Sequence, residues 1–243
     1  MFKSFCLALS FLSRLIPGRS ASVQEIYSSI AWYPAAGLMI GLVASFPFAL
    51  GLAEGKFVLQ GFLFTTFLAW LTRALHWDGW ADVFDALGSG RQGEEFRQVL
   101  KDSRVGVFGA LALVLGLAGM IIGSSLCLAA GNWTALPYAV LLGRCLAAPL
   151  AFATEAAPSS SLGVLFCAGT RKSHVVIALC FALAGGLICL GPFLCLLSIV
   201  VAGCGLFFFR LVALRHGGMG GDFIGATIIW GELGVLLTVA LFQ

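Results

Sequence analysis

Long runs of apolar residues, interrupted by short polar stretches, dominate the sequence. A helix needs about 20 consecutive apolar residues to cross a bilayer, and several runs approach that length. The strands of a membrane barrel would instead alternate between apolar and polar residues over segments of about ten. The pattern therefore predicts an all-α, polytopic integral membrane bundle with about seven spanning helices. The predicted spans lie at 32–53, 57–76, 105–130, 134–153, 174–190, 192–214 and 223–242.

A shorter amphipathic stretch precedes these spans. Residues 2–16 place apolar side chains on one side of a helix and polar ones on the other, which is typical of a helix lying in the membrane interface. A cleaved signal peptide is the alternative, but Arg14 lies late in the apolar run and no clear A-x-A site follows. We therefore expect an interfacial helix, with a polar face formed by Lys3, Ser10, Ser13 and Arg14.

Very short polar turns separate three pairs of predicted spans, at 54–56, 131–133 and 191–192. Turns of this length join antiparallel neighbours, so each pair is predicted to form a helical hairpin. The sequence has no internal repeat and no change of composition that would divide it. We expect a single transmembrane catalytic domain over residues 1–243.

Composition narrows the class of protein. Hydrophobic residues make up 60% of the chain and charged residues only 10%, whereas soluble domains carry about 25% charged residues. The net charge of +3, with no basic tract interleaved with aromatic residues, gives no indication of nucleic-acid binding. The lipid bilayer is therefore the expected environment.

Lysine and arginine are distributed unevenly between the two sides that the predicted spans define. With the N-terminus in the cytoplasm, twelve of them lie on the cytoplasmic side, and only Lys56 lies on the other. This excess is typical of cytoplasmic loops. It places residues 76–104, 154–173 and 215–222 together at the cytoplasmic face. The twelve are Lys3, Arg14, Arg19, Arg73, Arg91, Arg97, Lys101, Arg104, Arg171, Lys172, Arg210 and Arg215.

The segment 76–104 contains six of the eleven acidic residues. Asp78, Asp82 and Asp85 are spaced so that a helix places them on one face, with neighbouring Cβ atoms about 5–6 Å apart. Carboxylates that close repel one another unless a cation lies between them, and oxygen ligands alone favour Mg²⁺. A magnesium site for phosphoryl chemistry is one interpretation. A solvated helix with ordinary surface acids is the other, although it leaves the interleaved aromatic residues unexplained.

Polar residues beside this segment supply further candidates. Arg73 and His76 precede the aspartates, and Lys101–Arg104 follows them at the start of a predicted span. Such a cationic tetrapeptide suits a phosphate-binding role, but it also suits the ordinary basic flank of a spanning helix. Glu94 and Glu95 are interpreted as solvated surface residues.

A second polar segment lies at 217–225, where glycines surround Asp222. The glycines allow close approach of the backbone to a ligand, or simply close packing of helices. Within the spans, Arg144 and Glu232 are costly as unpaired charges. They either pair with each other or line a cavity. His174 and His216 are interpreted as residues of the membrane interface.

Three motifs resemble those of the cobalamin synthases, the adenosylcobinamide-GDP ribazoletransferases of the bacterial inner membrane. They are His76–Asp85 (HWDGWADVFD), Lys101–Gly109 (KDSRVGVFG) and Gly217–Ala226 (GGMGGDFIGA), and they occur in the family's order. The chain departs from the family at Gly220, where members commonly carry threonine.

The resemblance implies a reaction that joins α-ribazole, or its 5′-phosphate, to adenosylcobinamide-GDP and releases GMP. It also implies a Mg²⁺ cofactor and a multi-pass protein of the inner membrane with its site facing the cytoplasm. The implied Mg²⁺ ligands are Asp78, Asp82, Asp85 and Asp102. The implied catalytic residues are Asp82, His76, Lys101 and Arg104, and the implied cofactor-binding residues are Gly221, Asp222 and Ser103.

Two alternatives to this function stay open at the level of sequence. The aspartate pattern is loosely similar to that of CDP-alcohol phosphotransferases acting on lipids, although Asp82 stands where their arginine follows alanine. A cation-coupled transporter is disfavoured, because transporters commonly place their sites near the bilayer midplane and contain repeats. A homo-oligomer and an association with other enzymes of the cobalamin pathway are both compatible with the sequence.

Overall fold

Helices form the fold of residues 2–243, the part of the chain that the computed structural model describes. The prediction of an all-α protein is confirmed. In chain order, the helices are α1 (Phe2–Leu12), α2 (Val23–Ile30), α3 (Tyr33–Ala49), α4 (Phe57–Leu71), α5 (Leu75–Gly88), α6 (Gly93–Leu100), α7 (Val107–Ala129), α8 (Ala135–Cys145), α9 (Ala147–Ala153), α10 (Ser161–Gly169), α11 (Lys172–Arg215) and α12 (Gly221–Phe242).

Helices α8 and α12 form the centre of the bundle. Every residue of α8 is buried, and so are most residues of α12. Small residues allow this close approach: a Cβ atom added to Gly231 would lie 2.8 Å from the Cα atom of Gly143. The helices α3, α5, α7 and α11 pack around this pair. Their contacts with α8 and α12 bury apolar side chains.

Four segments are long and apolar enough to cross a membrane alone, with α8 and α9 together counted as one. Two bent pairs of helices, α2 with α3 and α4 with α5, would raise the number to six. The chain is therefore consistent with a multi-pass membrane protein. The predicted count of about seven spans is not confirmed.

A break at Gly191 divides α11 into two arms. Gly191 has a φ of 77°, and Pro192 follows it. Cys195 Sγ lies 3.8 Å from the carbonyl oxygen of Leu183, whereas residues twelve apart in a straight helix are separated by about 18 Å. The chain therefore folds back at the turn that the sequence places between the predicted spans 174–190 and 192–214.

The corner between α4 and α5 differs from the sequence prediction. The predicted span 57–76 ends early, at Leu71, and the two helices meet at 95°. Arg73 and Ala74 lie in the left-handed region, with φ of 58° and 53°, and this conformation costs about 1–2 kcal/mol per non-glycine residue. The Arg73 guanidinium group stabilises the corner by donating to the carbonyl oxygens of Ser10 and Phe11 in α1.

The helix α1 is shorter and more buried than expected. It ends at Leu12, and both Ser10 and Ser13 are buried rather than part of a polar face. Burial is tolerated because each hydroxyl group donates to a carbonyl oxygen one turn earlier, at Leu7 and Leu9. The polar face predicted for residues 2–16 is therefore wrong at these two serines. The interfacial position of α1 stays a prediction.

The buried charges Arg144 and Glu232 form an ion pair between α8 and α12. The two side chains are 1% and 2% exposed, and Arg144 Nη1 also donates to the carbonyl oxygen of Val140. Of the two alternatives that the sequence left open for these residues, the structure shows the pairing. Each charge compensates the other in surroundings where water is excluded.

Candidate active site

Close backbone contact brings the aspartate helix α5 to the start of α12. A Cβ atom at Gly79 would lie 2.6 Å from the carbonyl oxygen of Asp222, and one at Gly225 would lie 3.1 Å from that of His76. The contact at Gly79 leaves no room for a side chain and the contact at Gly225 is tight, so the two glycines allow the helices to come this near. As a result, Asp78 and Asp222 line the same cavity, although they are far apart in sequence.

Three carboxylates gather at this junction. Asp78 is exposed, Asp82 and Asp222 are half-buried, and the charges of Asp78, Asp222 and Asp85 all act on Asp82. Residues 2–243 contain no group of three acidic, histidine or cysteine side chains already arranged around a metal position. The donors are all oxygens and carry like charges, so this set fits a hard cation such as Mg²⁺.

Asp85 has a different environment from the other two aspartates of α5. Its carboxylate accepts hydrogen bonds from the backbone N–H groups of Gly106, at 2.6 Å, and Gly109, at 2.8 Å. These groups lie at the start of α7, where N–H groups have no partner within the helix. Asp85 therefore joins α5 to α7 as a helix cap, and its charge also acts on Asp82.

Asp102 is also held by protein donors. Arg104 binds it through two guanidinium nitrogens, at 2.9 and 2.7 Å, and through its backbone N–H group. Hydrogen bonds from Arg104 lower the pKa of Asp102 to about 2. The pair lines a cavity of about 620 Å³ beside Asp85, and Ser103 is exposed between them. The structure thus places the implied fourth ligand at a different cavity from Asp78 and Asp222.

His76 lines the cavity that Asp78 and Asp222 share. The side chain is 5% exposed, and its Nε2 atom has no hydrogen-bond partner. The cavity measures about 100 Å³. Its walls are largely apolar, and the aromatic residues among them are Phe11, Tyr33 and Phe166. We refer to it as the aromatic cavity.

A second cavity, of about 280 Å³, adjoins the first. Its lining includes the cations Arg97 and Lys101 and the serine loop, which we define as residues 158–161 with the sequence PSSS; Ser159, Ser160 and Ser161 all contribute. We refer to it as the cationic cavity. Arg97 is positioned by Glu94, at 2.6 Å, and by the carbonyl oxygen of Gly217, at 3.2 Å. Three residues line both cavities: Leu162, Gly221 and Asp222.

Sequence reasoning missed Arg97 and the serine loop. The available signal was the run of three serines after Pro158, in a loop already predicted to lie at the same face as the aspartates. Pairing with the glycine segment positions this loop, because Met219 N donates to Glu155 O at 2.7 Å and Ala157 N donates to Met219 O at 2.9 Å. Because the paired residues Ala156 and Met219 are 63 positions apart, the local sequence pattern does not reveal the pairing.

Gly218 makes that pairing feasible, and Gly220 lies beside the serine loop. Gly218 has a φ of 113°, and a Cβ atom there would lie 2.6 Å from the carbonyl carbon of Ala156. At Gly220, a Cβ atom would lie 3.4 Å from Ser160 Oγ. A serine hydroxyl group therefore lies beside Gly220.

The two other histidines have structural contacts. The ring of His216 is buried and stacks on Phe96 with centroids 3.8 Å apart, while its Nδ1 atom accepts a hydrogen bond from Gly93 N. Burial, and then the charge of Arg215, lowers the pKa of His216. These contacts give His216 a structural role, and its position at the membrane interface stays a prediction. His174 is half-buried, and its Nδ1 atom accepts a hydrogen bond from Arg171 N at the start of α11.

Comparison with known proteins agrees with the grouping of the three sequence motifs around the two cavities. A family model described as cobalamin-5-phosphate synthase matches residues 4–240. The chain belongs to this family. The family match spans α1 to α12, so it includes every element that contributes to the two cavities.

Curated relatives match over similar lengths. The chain is 39% identical over 240 residues to an adenosylcobinamide-GDP ribazoletransferase of Nitratidesulfovibrio vulgaris (strain DSM 19637 / Miyazaki F), covering 99% of this chain and 96% of the relative. It is 35% identical to the enzyme of that name from Klebsiella pneumoniae subsp. pneumoniae, covering 98% and 100%. The relative from Syntrophobacter fumaroxidans is 32% identical, with 93% of each chain covered. No solved structure is significantly similar to the chain.

Replacing Gly79 by alanine is expected to lower turnover about 100-fold, because misplacement of reacting groups by about 1 Å has an effect of that size. The added methyl group would displace Asp222 from Asp78. Initial rates of the purified variant measure the effect. Gly203→Ala in α11 is the matched control, since a Cβ atom there meets nothing within 4 Å. Equal rates for both variants would contradict the importance of this backbone contact.

Proposed function

We propose that this protein is an adenosylcobinamide-GDP ribazoletransferase, which completes the nucleotide loop of cobalamin. A ribose hydroxyl group of α-ribazole, or of its 5′-phosphate, attacks the phosphorus atom next to cobinamide in the diphosphate. A new P–O bond forms, the P–O bond to GMP breaks, and the hydroxyl proton passes to a base. The observation that carries the proposal is the convergence of Asp78, Asp222 and Lys101 on two adjoining cavities in a chain of this family.

Each group at the junction has a role in this reaction. Asp78, Asp82 and Asp222 would hold Mg²⁺, which when bound neutralises charge on the diphosphate and on the leaving nucleotide. One of these carboxylates, with Asp82 the first candidate, takes the hydroxyl proton. Lys101 and Arg104 line separate cavities. They are therefore suited to bind phosphate groups on different parts of the two substrates.

The proposed location is the bacterial inner membrane, with the active site at the cytoplasmic face. The excess of lysine and arginine on one predicted side, twelve against one, supports this orientation. The full-length family match favours the transferase over a CDP-alcohol phosphotransferase and over a cation-coupled transporter. The substrates of the proposed reaction are nucleotides, which a site at the cytoplasmic face would reach directly.

Reconstituted protein provides the test. Proteoliposomes supplied with adenosylcobinamide-GDP, α-ribazole 5′-phosphate and Mg²⁺ are expected to release GMP in step with formation of the cobalamin product. Chelation with EDTA is expected to stop the release, and excess Mg²⁺ to restore it. Folded protein that releases no GMP under these conditions would refute the transferase. Release that continues in EDTA would refute only the role of the metal.

A further inference from the structure

Two cavities of opposite character adjoin at the aspartate junction. The aromatic cavity has apolar walls with a buried histidine, and the cationic cavity has two positive charges with three serines. Leu162, Gly221 and Asp222 line both cavities, which places the two side by side. A ligand that extended across these residues would reach into each. A ligand of that kind would have an aromatic part, a polar middle and an anionic end.

One residue that lines the aromatic cavity, His76, has a polar atom that lacks a partner. Nε2 of His76 is buried and makes no hydrogen bond, and a buried polar atom in that state costs free energy. The surrounding Tyr33 and Phe166 present ring surfaces. A flat heteroaromatic ring with one nitrogen acceptor would pack on these rings and would supply a hydrogen-bond partner to His76.

The cationic cavity suits a phosphate monoester. Lys101 is exposed and forms no ion pair with any residue in 2–243, so its ammonium group is available. Ser159 and Ser161 add hydroxyl groups, and Arg97 is held in place by Glu94. Lysine, arginine and hydroxyl donors together are typical of sites for phosphate groups.

We propose that the two cavities together form the acceptor site, an inference that rests on the proposed function. The benzimidazole base of α-ribazole lies in the aromatic cavity against His76. The ribose lies at Gly221 and Asp222, and the 5′-phosphate lies on Lys101 and the serine loop. This orientation directs a ribose hydroxyl group toward Asp78 and Asp222. It assigns His76 to recognition of the base, and it leaves the Arg104 cavity to the donor.

The phosphate end is tested with α-ribazole 5′-phosphate and α-ribazole as paired acceptors. Each added charged hydrogen bond corresponds to about tenfold or more in binding. For Lys101→Gln, and separately for Ser159→Ala with Ser161→Ala, we expect the ratio of kcat/KM between the phosphorylated and free acceptors to fall about tenfold. The KM for adenosylcobinamide-GDP is expected to stay within about twofold of the wild-type value. Lys172→Gln, a change of an exposed lysine outside the cavity, is the matched control.

Three outcomes separate the explanations. An equal loss with both acceptors would overturn the phosphate assignment. A rise in the KM for adenosylcobinamide-GDP alone would assign the cationic cavity to the donor's phosphates and would also overturn it. Absence of GMP release by the wild-type protein with either acceptor would instead refute the proposed function itself.

The base end is tested at His76. His76→Leu removes the nitrogen, and His76→Gln retains a donor in the same region. We expect His76→Leu to raise the KM for α-ribazole 5′-phosphate about tenfold, with the KM for adenosylcobinamide-GDP unchanged, and His76→Gln to recover part of the affinity. A fall in kcat with unchanged KM for the acceptor would make His76 a proton acceptor and would overturn its role in base recognition.

Discussion

Asp82→Asn is expected to lower GMP release at least about 100-fold while the protein still accumulates in the membrane. Asparagine removes one negative charge from the group formed with Asp78 and Asp222, and loss of such electrostatic stabilisation has effects of this size. Asp82 is half-buried, and the two hydrogen bonds that join α5 to the start of α7 are accepted by Asp85 and not by Asp82. The loss should therefore appear in kcat/KM and not in the yield of folded protein.

A carboxylate outside the two cavities provides the control for this variant. Glu95 is exposed on α6, outside the residues that line the two cavities, and Glu95→Gln also removes one negative charge. It is expected to retain wild-type activity, since a distant exposed charge acts only weakly through solvent. Full activity of Asp82→Asn would contradict the role of the aspartates in the reaction. An equal loss in Glu95→Gln would indicate an effect of net charge rather than of the site.

Arg144→Met is expected to destabilise the protein by about 3–5 kcal/mol, because removing one member of a buried ion pair leaves the other charge without compensation. Glu232 is 2% exposed between α8 and α12 and cannot reach water. Denaturant titration of the protein in detergent, followed by tryptophan fluorescence, measures the change in the free energy of unfolding.

The double variant Arg144→Met with Glu232→Leu distinguishes pairing from packing. Replacement of both charges by apolar groups of similar volume is often close to neutral, so most of the lost stability should return. A double variant as unstable as the sum of the single variants would show that the two charges are not coupled. Because α8 and α12 form the centre of the bundle, these variants also test how strongly the packing of the core affects the active site.

Local patterns predicted the aspartate helix well. The i, i+4 and i+7 spacing of Asp78, Asp82 and Asp85 is a property of one helix, and α5 is helical over all three. The same spacing could not show that Asp85 caps α7. That role depends on how α7 docks against α5, which involves Gly106 and Gly109 more than twenty residues later.

Contacts between distant segments account for what the sequence did not reveal. The serine loop reaches the site by pairing with Met219, and Asp222 reaches Asp78 because Gly79 lacks a side chain. The hydropathy pattern reported where apolar segments lie but not where they bend. The corner at Arg73 and Ala74 therefore appeared as the continuous end of a span, since neither residue is a typical helix breaker.

The bonds from Arg73 to α1 have a practical consequence for handling this protein. The α4–α5 corner that aims the aspartates depends on carbonyl groups of the first dozen residues, and Arg14 adds a bond from its Nε to Trp70 O at 2.9 Å. A purification tag that disturbs α1, or an expression plasmid that omits it, would loosen the catalytic end of the molecule. The bonded residues Ser10 and Arg73 are about 60 residues apart in sequence.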